Sequence, residues 1–270
     1  MNLLSYDFMQ RALIASLIIG LLAPMIGVFL VQRRLALLGD GMGHVALTGV
    51  GLAFLVGTQP IPTALVVAIA GAVAVEVIRA RSRTVGDVAL ALVFYGGIAG
   101  GVLLASLAAG NTSATLSQYL FGSLATVAVG DVVVLAVAAL LSFAVLAVFG
   151  RELFLVSLDP DLAHVQGVKV RAISLLLSVL TAVTVVIGMR TVGLLLVSAI
   201  MIVPIAAAQQ FTRSFAATAV GGVAVGVFSA VTGLVASFWF DLPPGPAIVL
   251  LALAVFVAAA VIAPLRKVAG

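Results

Sequence analysis

The stretch GDGMGHVALTGV, residues 39–50, places an acid and an imidazole inside a run of small and apolar residues. Asp40 and His44 are four positions apart, so on a helix their side chains lie on one face, one turn from each other. A carboxylate and an imidazole that converge in this way form half of a binding site for a divalent cation. A structural alternative stays open from these residues alone: Asp40 caps the start of a helix, and His44 is an interior histidine with satisfied hydrogen bonds.

The chain around this stretch has the composition of a membrane protein. Of its 270 residues, 64% are hydrophobic and 8% are charged, whereas soluble domains carry about 25% charged residues. No polar stretch is long enough to build a soluble domain, so residues 1–270 are expected to form a single transmembrane domain. Ionisable groups at membrane depth are costly and usually functional, which favours the metal interpretation of Asp40 and His44.

Three further features narrow the class of protein: its cysteine content, its net charge and its N-terminal segment. The chain has no cysteine, which excludes disulfides and thiolate metal ligands. The net charge of +4 does not indicate a nucleic-acid partner, because the basic residues lie at segment ends and not in one patch. The first apolar run is too long for a signal-peptide core and lacks a basic flank, so we interpret it as a span.

The sequence offers nine candidate spans, since a helix needs about 20 residues to cross the hydrocarbon core. The second is short and can extend back through Asp40, and eight spans result if one of the short segments is re-entrant. Pro24 and Pro204 lie within spans and are expected to kink or interrupt them. The candidates are Phe8–Val31, Gly43–Val56, Ile61–Ile78, Val85–Ala108, Val129–Phe149, Ala172–Gly188, Val192–Gln209, Phe215–Phe238 and Pro246–Pro264.

A polar interval, RELFLVSLDPDLAHVQGVKVR at residues 151–171, is the longest hydrophilic connection between these spans. Asp159 can cap a short helix with Pro160 at its first position, and Gly167 can end it. Such a surface helix needs a docking partner if its apolar face is exposed, and a solvated linker helix is the alternative. The expected apolar face consists of Leu162, Val165 and Val168.

Several stretches, taken together and in order, resemble the permease subunits of ATP-binding-cassette importers for zinc, manganese and iron. Each motif alone is modest, but the match covers nearly the whole chain. Thr48 and Met42 stand where the family often has proline and a second small residue, and neither departure removes a proposed ligand. The stretches are Gly39–Val50, the DxxxAxxxG element of Asp159, Ala163 and Gly167, the span VGLLLVSAIMIVPIAAAQQFTRSF at Val192–Phe215, the turn DLPPGPAI at Asp241–Ile248, and YLFGS at Tyr119–Ser123.

This resemblance implies an all-α membrane protein with eight to nine spans and the architecture of type II importers. It implies three kinds of partner in a bacterial plasma membrane: a second copy of the chain, two cytoplasmic ATP-binding subunits, and an extracytoplasmic metal-binding protein. Zinc, manganese or iron would be the cargo, with no permanently bound cofactor. In a two-fold dimer, Asp40 and His44 of both copies would surround one axis as a four-ligand site, and Asp159, Ala163 and Gly167 would couple to the ATPase.

Rival functions are distinguished by motifs that they require. The sequence has no GxxxxGK[ST] phosphate loop, so the chain is not expected to be an ATPase enzyme, and its energy comes from a separate subunit or an ion gradient. A gradient-driven carrier typically has inverted repeats and several mid-span acids, but only Asp40 and Glu76 lie near membrane depth. A siderophore or cobalamin importer shares the architecture without needing the Asp40–His44 pair. An intramembrane metalloprotease requires HExxH, which is missing, and His164 is interpreted as a surface residue.

We predict an outside N-terminus and an inside C-terminus. With this orientation every Lys and Arg except Arg11 and Arg190 faces the cytoplasm, that is eleven of the 13, as the positive-inside rule requires. Because the chain has no native cysteine, an Asp159→Cys variant is expected to resist a membrane-impermeant thiol reagent in intact cells, whereas Thr58→Cys in an outer turn reacts. Labelling of Asp159→Cys from outside would contradict this topology.

Overall fold

The computed structural model describes residues 6–81, 86–108, 118–122 and 127–268, and over these residues the chain is helical with no β-strand. Each long helix coincides with an apolar run bounded by glycine, proline or charged residues. Ten helices, long and short, are labelled in chain order: α1 Asp7–Gln32, α2 Leu38–Val56, α3 Pro60–Arg81, α4 Gly86–Leu107, α5 Val129–Leu158, α6 Pro160–Val165, α7 Val170–Thr191, α8 Leu194–Gln209, α9 Phe215–Phe240 and α10 Pro244–Val268.

The predicted all-α architecture of eight to nine spans is confirmed. Within the described ranges, eight helices are long and apolar enough to cross a membrane. The ninth candidate, α8, has 16 residues, about 24 Å at the helical rise of 1.5 Å per residue, which is shorter than a hydrocarbon core of about 30 Å. Helix α2 begins at Leu38, so the predicted extension of the second span through Asp40 is also confirmed.

Helix α5 differs from the sequence prediction at its C-terminal end. We expected the span to finish at Phe149 and a hydrophilic interval to follow, but the helix continues to Leu158 and has 30 residues, about 45 Å in length. The extension is held by apolar side chains at helical spacing: Leu153 and Val156 are fully buried, and Phe154 stacks edge-on against Phe215 with ring centroids 4.8 Å apart. Helix α5 is therefore longer than a membrane crossing requires.

The prolines expected to kink or interrupt spans, Pro24 and Pro204, do not interrupt their helices. Helix α1 continues through Pro24 and α8 through Pro204. A proline removes the N–H that would bond to the carbonyl four residues earlier, which for Pro24 is the carbonyl of Gly20. Gly226 of α9 packs against both groups, because an added Cβ there would lie 2.7 Å from Pro24 Cγ and 2.8 Å from Gly20 O. The freed backbone is thus covered by protein, as a low-dielectric environment requires.

Glycines set how closely α2 approaches the helices around it. Helix α2 contacts α3, α4, α7 and α8. On α4, a Cβ at Gly97 would lie 2.7 Å from Val45 N and 2.8 Å from His44 C, whereas at Gly96 it would meet no atom of the described residues within 4 Å. Helix α4 contains two overlapping GxxxG pairs, Gly96/Gly100 and Gly97/Gly101, and the second pair packs backbone to backbone on α2.

Helix α8 runs antiparallel to α2 and begins beside its second turn. Gly43 packs directly on Leu194, the first residue of α8, and a Cβ at Gly39 would lie 3.2 Å from Met201 Sδ. Gly193, with φ +89°, precedes the helix. This register brings Ser198, one turn into α8, to the level of Asp40.

A hydrogen-bonded charge cluster ties together the ends of α1, α3 and α7. Glu76 Oε1 accepts from Arg79 Nη1 at 3.0 Å and from Ser178 Oγ at 2.9 Å, and Arg33 Nη2 donates to Ser174 Oγ at 2.8 Å. Burial, aided by the nearby Arg79 charge, lowers the pKa of Arg33 from its usual value, and Glu76 opposes that shift. Glu76 is thus held by an ion pair with Arg79 and by a hydrogen bond from Ser178.

We predict opposite outcomes for two neighbouring alanine substitutions in α4. Gly97→Ala forces α4 away from the α2 backbone and should cost about 1–3 kcal/mol, as overpacking does. Gly96→Ala meets no atom within the described part of the chain and should be neutral or slightly stabilising, since alanine favours helix. Thermal unfolding of the detergent-purified variants measures this difference, and equal midpoints for the two would contradict the packing of α2 on α4.

Candidate metal-transit site

The Asp40–His44 pair lies in the first two turns of α2, and Asp40 is not the N-cap residue of that helix. The N-cap position of α2 is Leu37, and no side chain caps the helix there. His44 Nε2 lies 3.9 Å from Asp40 Oδ1, and the side chains are 14% and 29% exposed, respectively. The two groups therefore converge on one face of the helix, as the sequence spacing predicts.

The surroundings of the pair come from α4 and α8. The Phe94 ring of α4 meets the His44 ring edge-on, with centroids 4.7 Å apart. Ser198 Oγ of α8 lies 3.5 Å from Asp40 Oδ1. Beside Asp40 a cleft of about 280 Å³ opens between α2 and α4, large enough for several water molecules. It is lined by Leu37, Asp40, Leu90, Ala91, Phe94 and Tyr95.

The distances within the pair are close to those of two donors on one ion. Zinc–nitrogen and zinc–oxygen bonds of about 2.1 Å separate neighbouring ligand atoms by about 3.0 Å in an octahedral and 3.4 Å in a tetrahedral site. The 3.9 Å separation of Asp40 Oδ1 and His44 Nε2 needs a side-chain shift of less than about 1 Å to reach those values. The described part of one chain holds no cluster of three or more His, Cys, Asp or Glu side chains, so the pair offers one carboxylate and one neutral imidazole.

The predicted short helix of the polar interval is present as α6. Asp159 is its N-cap, and Asp159 Oδ1 accepts from the backbone N–H of Asp161 at 2.9 Å and of Leu162 at 3.0 Å. Ala163 is fully buried, and Gly167 has φ +84°, a conformation that favours glycine at a helix end. Two of the expected apolar side chains are exposed, Leu162 by 46% and Val165 by 83%.

A glycine junction brings together three of the other stretches on which the resemblance rests. Gly122 has φ +72° and Gly193 φ +89°, and a Cβ on Gly193 would lie 2.5 Å from Gly122 N. A Cβ on Gly245 would lie 3.0 Å from Phe121 O. The described part of the YLFGS segment therefore packs on the break before α8 and on the DLPPGPAI turn, whereas Ser123 lies outside the described residues. This junction fixes where α8 starts and hence the position of Ser198.

Two of the residues around the pair, Ser198 and Phe94, were not predicted from the sequence. Ser198 is a lone hydroxyl within the apolar stretch VGLLLVSAIMIVP, which is a signal that could have been used. Phe94 gives no such signal, because an aromatic residue in an apolar helix is ordinary. Their relation to Asp40 and His44 depends on the packing of α8 and α4 on α2.

The fold and the pair together define a class: multi-span membrane proteins that hold an acid and an imidazole within a helical bundle. A model of the ABC 3 transport family matches residues 5–263. The manganese transport system membrane protein MntC of Listeria innocua is 33% identical over 263 residues, covering 97% of this chain and 93% of the relative. The high-affinity zinc uptake system membrane protein ZnuB of Haemophilus influenzae is 27% identical, covering 93% and 96%.

A solved structure, PsaBC from Streptococcus pneumoniae in complex with a Fab, is similar over 96% of this chain and 92% of that chain, with a TM-score of 0.84 and 28% identity. The chain belongs to the ABC 3 transport family. It is a multi-pass permease of the cell membrane, and the resemblance stated from its motifs is confirmed. Membership of this family sets aside the gradient-driven carrier and the intramembrane protease.

Proposed function

We propose that this chain is the permease of an importer for a divalent metal ion, manganese or zinc, and that the ion passes between the Asp40 and His44 side chains. The observation that carries the proposal is the 3.9 Å approach of His44 Nε2 to Asp40 Oδ1 beside an open cleft. The names of the relatives, which are manganese and zinc transport proteins, support the choice of cargo over a siderophore or cobalamin.

The proposed working unit is a two-fold dimer of this chain. One carboxylate and one imidazole are too few to replace the hydration shell of a dication, and a second copy would raise the donors to two carboxylates and two imidazoles around one axis. Such a site neutralises the charge of the ion in an apolar bundle. Coordination must remain weak enough for release, because conduction requires that the ion also leave.

The energy is proposed to come from two cytoplasmic ATP-binding subunits, with an extracytoplasmic binding protein delivering the metal. The exposed side chains of Leu162 and Val165 on α6 offer an apolar docking face. Helix α6 directly follows the long helix α5, whose Phe154 stacks on Phe215, so movement of α6 would reach the bundle through a packed helix. Asp159, Ala163 and Gly167 shape this element as its cap, its buried contact and its terminating turn.

We predict that Asp40→Asn and His44→Ala each reduce metal uptake by at least about tenfold, the scale on which metal sites respond to altered ligation. Asparagine keeps the shape of aspartate but loses the charge that offsets the dication. The matched control is Asp7→Asn, which changes the first-turn aspartate of another span, α1. Uptake of radioactive manganese and zinc into cells, normalised to permease in the membrane, is the measurement. Near-normal uptake by both site variants would refute the transit role.

We predict that Val165→Glu uncouples the transporter, because it puts a charge on the proposed docking face. Gln166→Glu is the control, since it adds the same charge at the next, already polar position. Gly167 is a poorer target, because its φ of +84° strains any other residue there. Copurification of the ATP-binding subunit with each variant reports docking. Equal recovery with Val165→Glu and Gln166→Glu, together with normal uptake, would contradict the role of α6.

A further inference from the structure

We infer that the hydroxyl of Ser198 is a third protein donor to the transported ion, so that α8 helps to decide which metal the permease passes. This inference rests on the proposed transit role of Asp40 and His44. It begins from the position of Ser198 Oγ, 3.5 Å from Asp40 Oδ1. That separation is close to the 3.0–3.4 Å expected of about 2.1 Å bonds to one ion, so the carboxylate and the hydroxyl can share a cation after a small movement.

The hydroxyl of Ser198 has alternative hydrogen-bond acceptors besides Asp40. Ser198 Oγ lies 3.2 Å from Leu194 O and 3.3 Å from Leu195 O, both in the preceding turn of α8. A hydroxyl carries one hydrogen and two lone pairs. When Asp40 is free, the hydrogen can point to its carboxylate. When a cation sits on Asp40, the hydrogen can rotate to a backbone carbonyl and the lone pairs then face the ion.

Two close contacts, one on each side of Ser198, hold α8 at this level. Gly43 packs on the side chain of Leu194 one turn before Ser198, and Gly27 of α1 packs on the backbone of Met201 three residues after it. The contact at Gly27 leaves no room for a larger side chain, because the neighbouring atoms belong to the backbone. The helix that carries the hydroxyl is thus packed on either side of it, which is the support that a coordinating group needs.

A neutral oxygen donor has a chemical consequence for selectivity. Carboxylate and hydroxyl oxygens suit manganese, imidazole suits several metals including zinc, and thiolate favours zinc and other soft ions. With Ser198 the site of one copy contains two oxygens and one nitrogen. Replacing the hydroxyl with a thiol should therefore turn a site from which the ion leaves into one that retains soft metals.

The competing explanation is that Ser198 only bonds to its own helix, as serines within helices often do. In that case, Ser198→Ala would leave transport intact, and the cysteine of Ser198→Cys would bind metal no better than any other cysteine on α8. The two explanations can be separated directly, because the native chain contains no cysteine and an introduced thiol is then the sole source of a cadmium–thiolate absorption band.

The test is cadmium titration of the purified full-length chain carrying Ser198→Cys. We expect a cadmium–thiolate band to appear during the titration. The apparent affinity for cadmium should fall by at least about tenfold when Asp40→Asn or His44→Ala is added, because the thiol then loses a co-ligand. Ala199→Cys is the matched control: it lies one position along the same helix and is also partly buried. A band of equal affinity in both cysteine variants, or one indifferent to Asp40→Asn, would overturn the inference.

Uptake measurements provide a second test of the inference. Ser198→Ala should lower manganese uptake by about tenfold, and Ser198→Thr, which keeps the hydroxyl, should restore most of it. Cadmium should block manganese uptake by Ser198→Cys until a chelator is added. If Asp40→Asn abolishes uptake while Ser198→Ala transports normally, the transit site stands and the role of Ser198 is wrong. If Asp40→Asn and His44→Ala both transport normally, the proposed function itself fails.

Discussion

A charged side chain in an apolar bundle is the constraint around which this molecule is arranged. Asp40 lies within α2 and meets His44 one turn later at 3.9 Å and Ser198 of α8 at 3.5 Å. An isolated carboxylate in such surroundings is costly, and the cost falls when it has a hydrogen-bonding partner, access to water, or a cation. The neighbouring cleft between α2 and α4 gives Asp40 access to water. The cation is the proposed cargo, whose charge would be offset by the same carboxylate.

The helices around Asp40 are positioned by glycines. Gly97 brings α4 onto the backbone of His44 and Val45, and Gly43 lets the start of α8 lie against α2. The association of helices in lipid has little hydrophobic driving force, so close van der Waals contact and hydrogen bonds must supply it. One such bond runs from Thr48 Oγ1 to Gly97 O at 2.7 Å. The same contacts that stabilise the bundle therefore fix the distances within the site.

Much of this could be predicted from the sequence, and the exceptions have physical reasons. The spacing of Asp40 and His44 predicted their convergence because it depends only on helix geometry, and Asp159, Pro160 and Gly167 predicted α6 because capping is local. The extension of α5 to Leu158 was missed because charged residues at 151 and 152 conceal a buried apolar stripe. Ser198 was missed because its meeting with Asp40 spans 158 positions and depends on the register of α8, which is set by contacts that a single sequence does not display.

The most direct test of the central claim is to locate the ion. Crystals of the assembled transporter grown with manganese and measured at its absorption edge would reveal the metal by anomalous scattering. We predict a peak on the two-fold axis of the permease dimer, within coordination distance of Asp40 and His44 from both copies, that disappears in Asp40→Asn. A manganese peak within the membrane that touches neither side chain, or one that persists in Asp40→Asn, would rule out the proposed transit site.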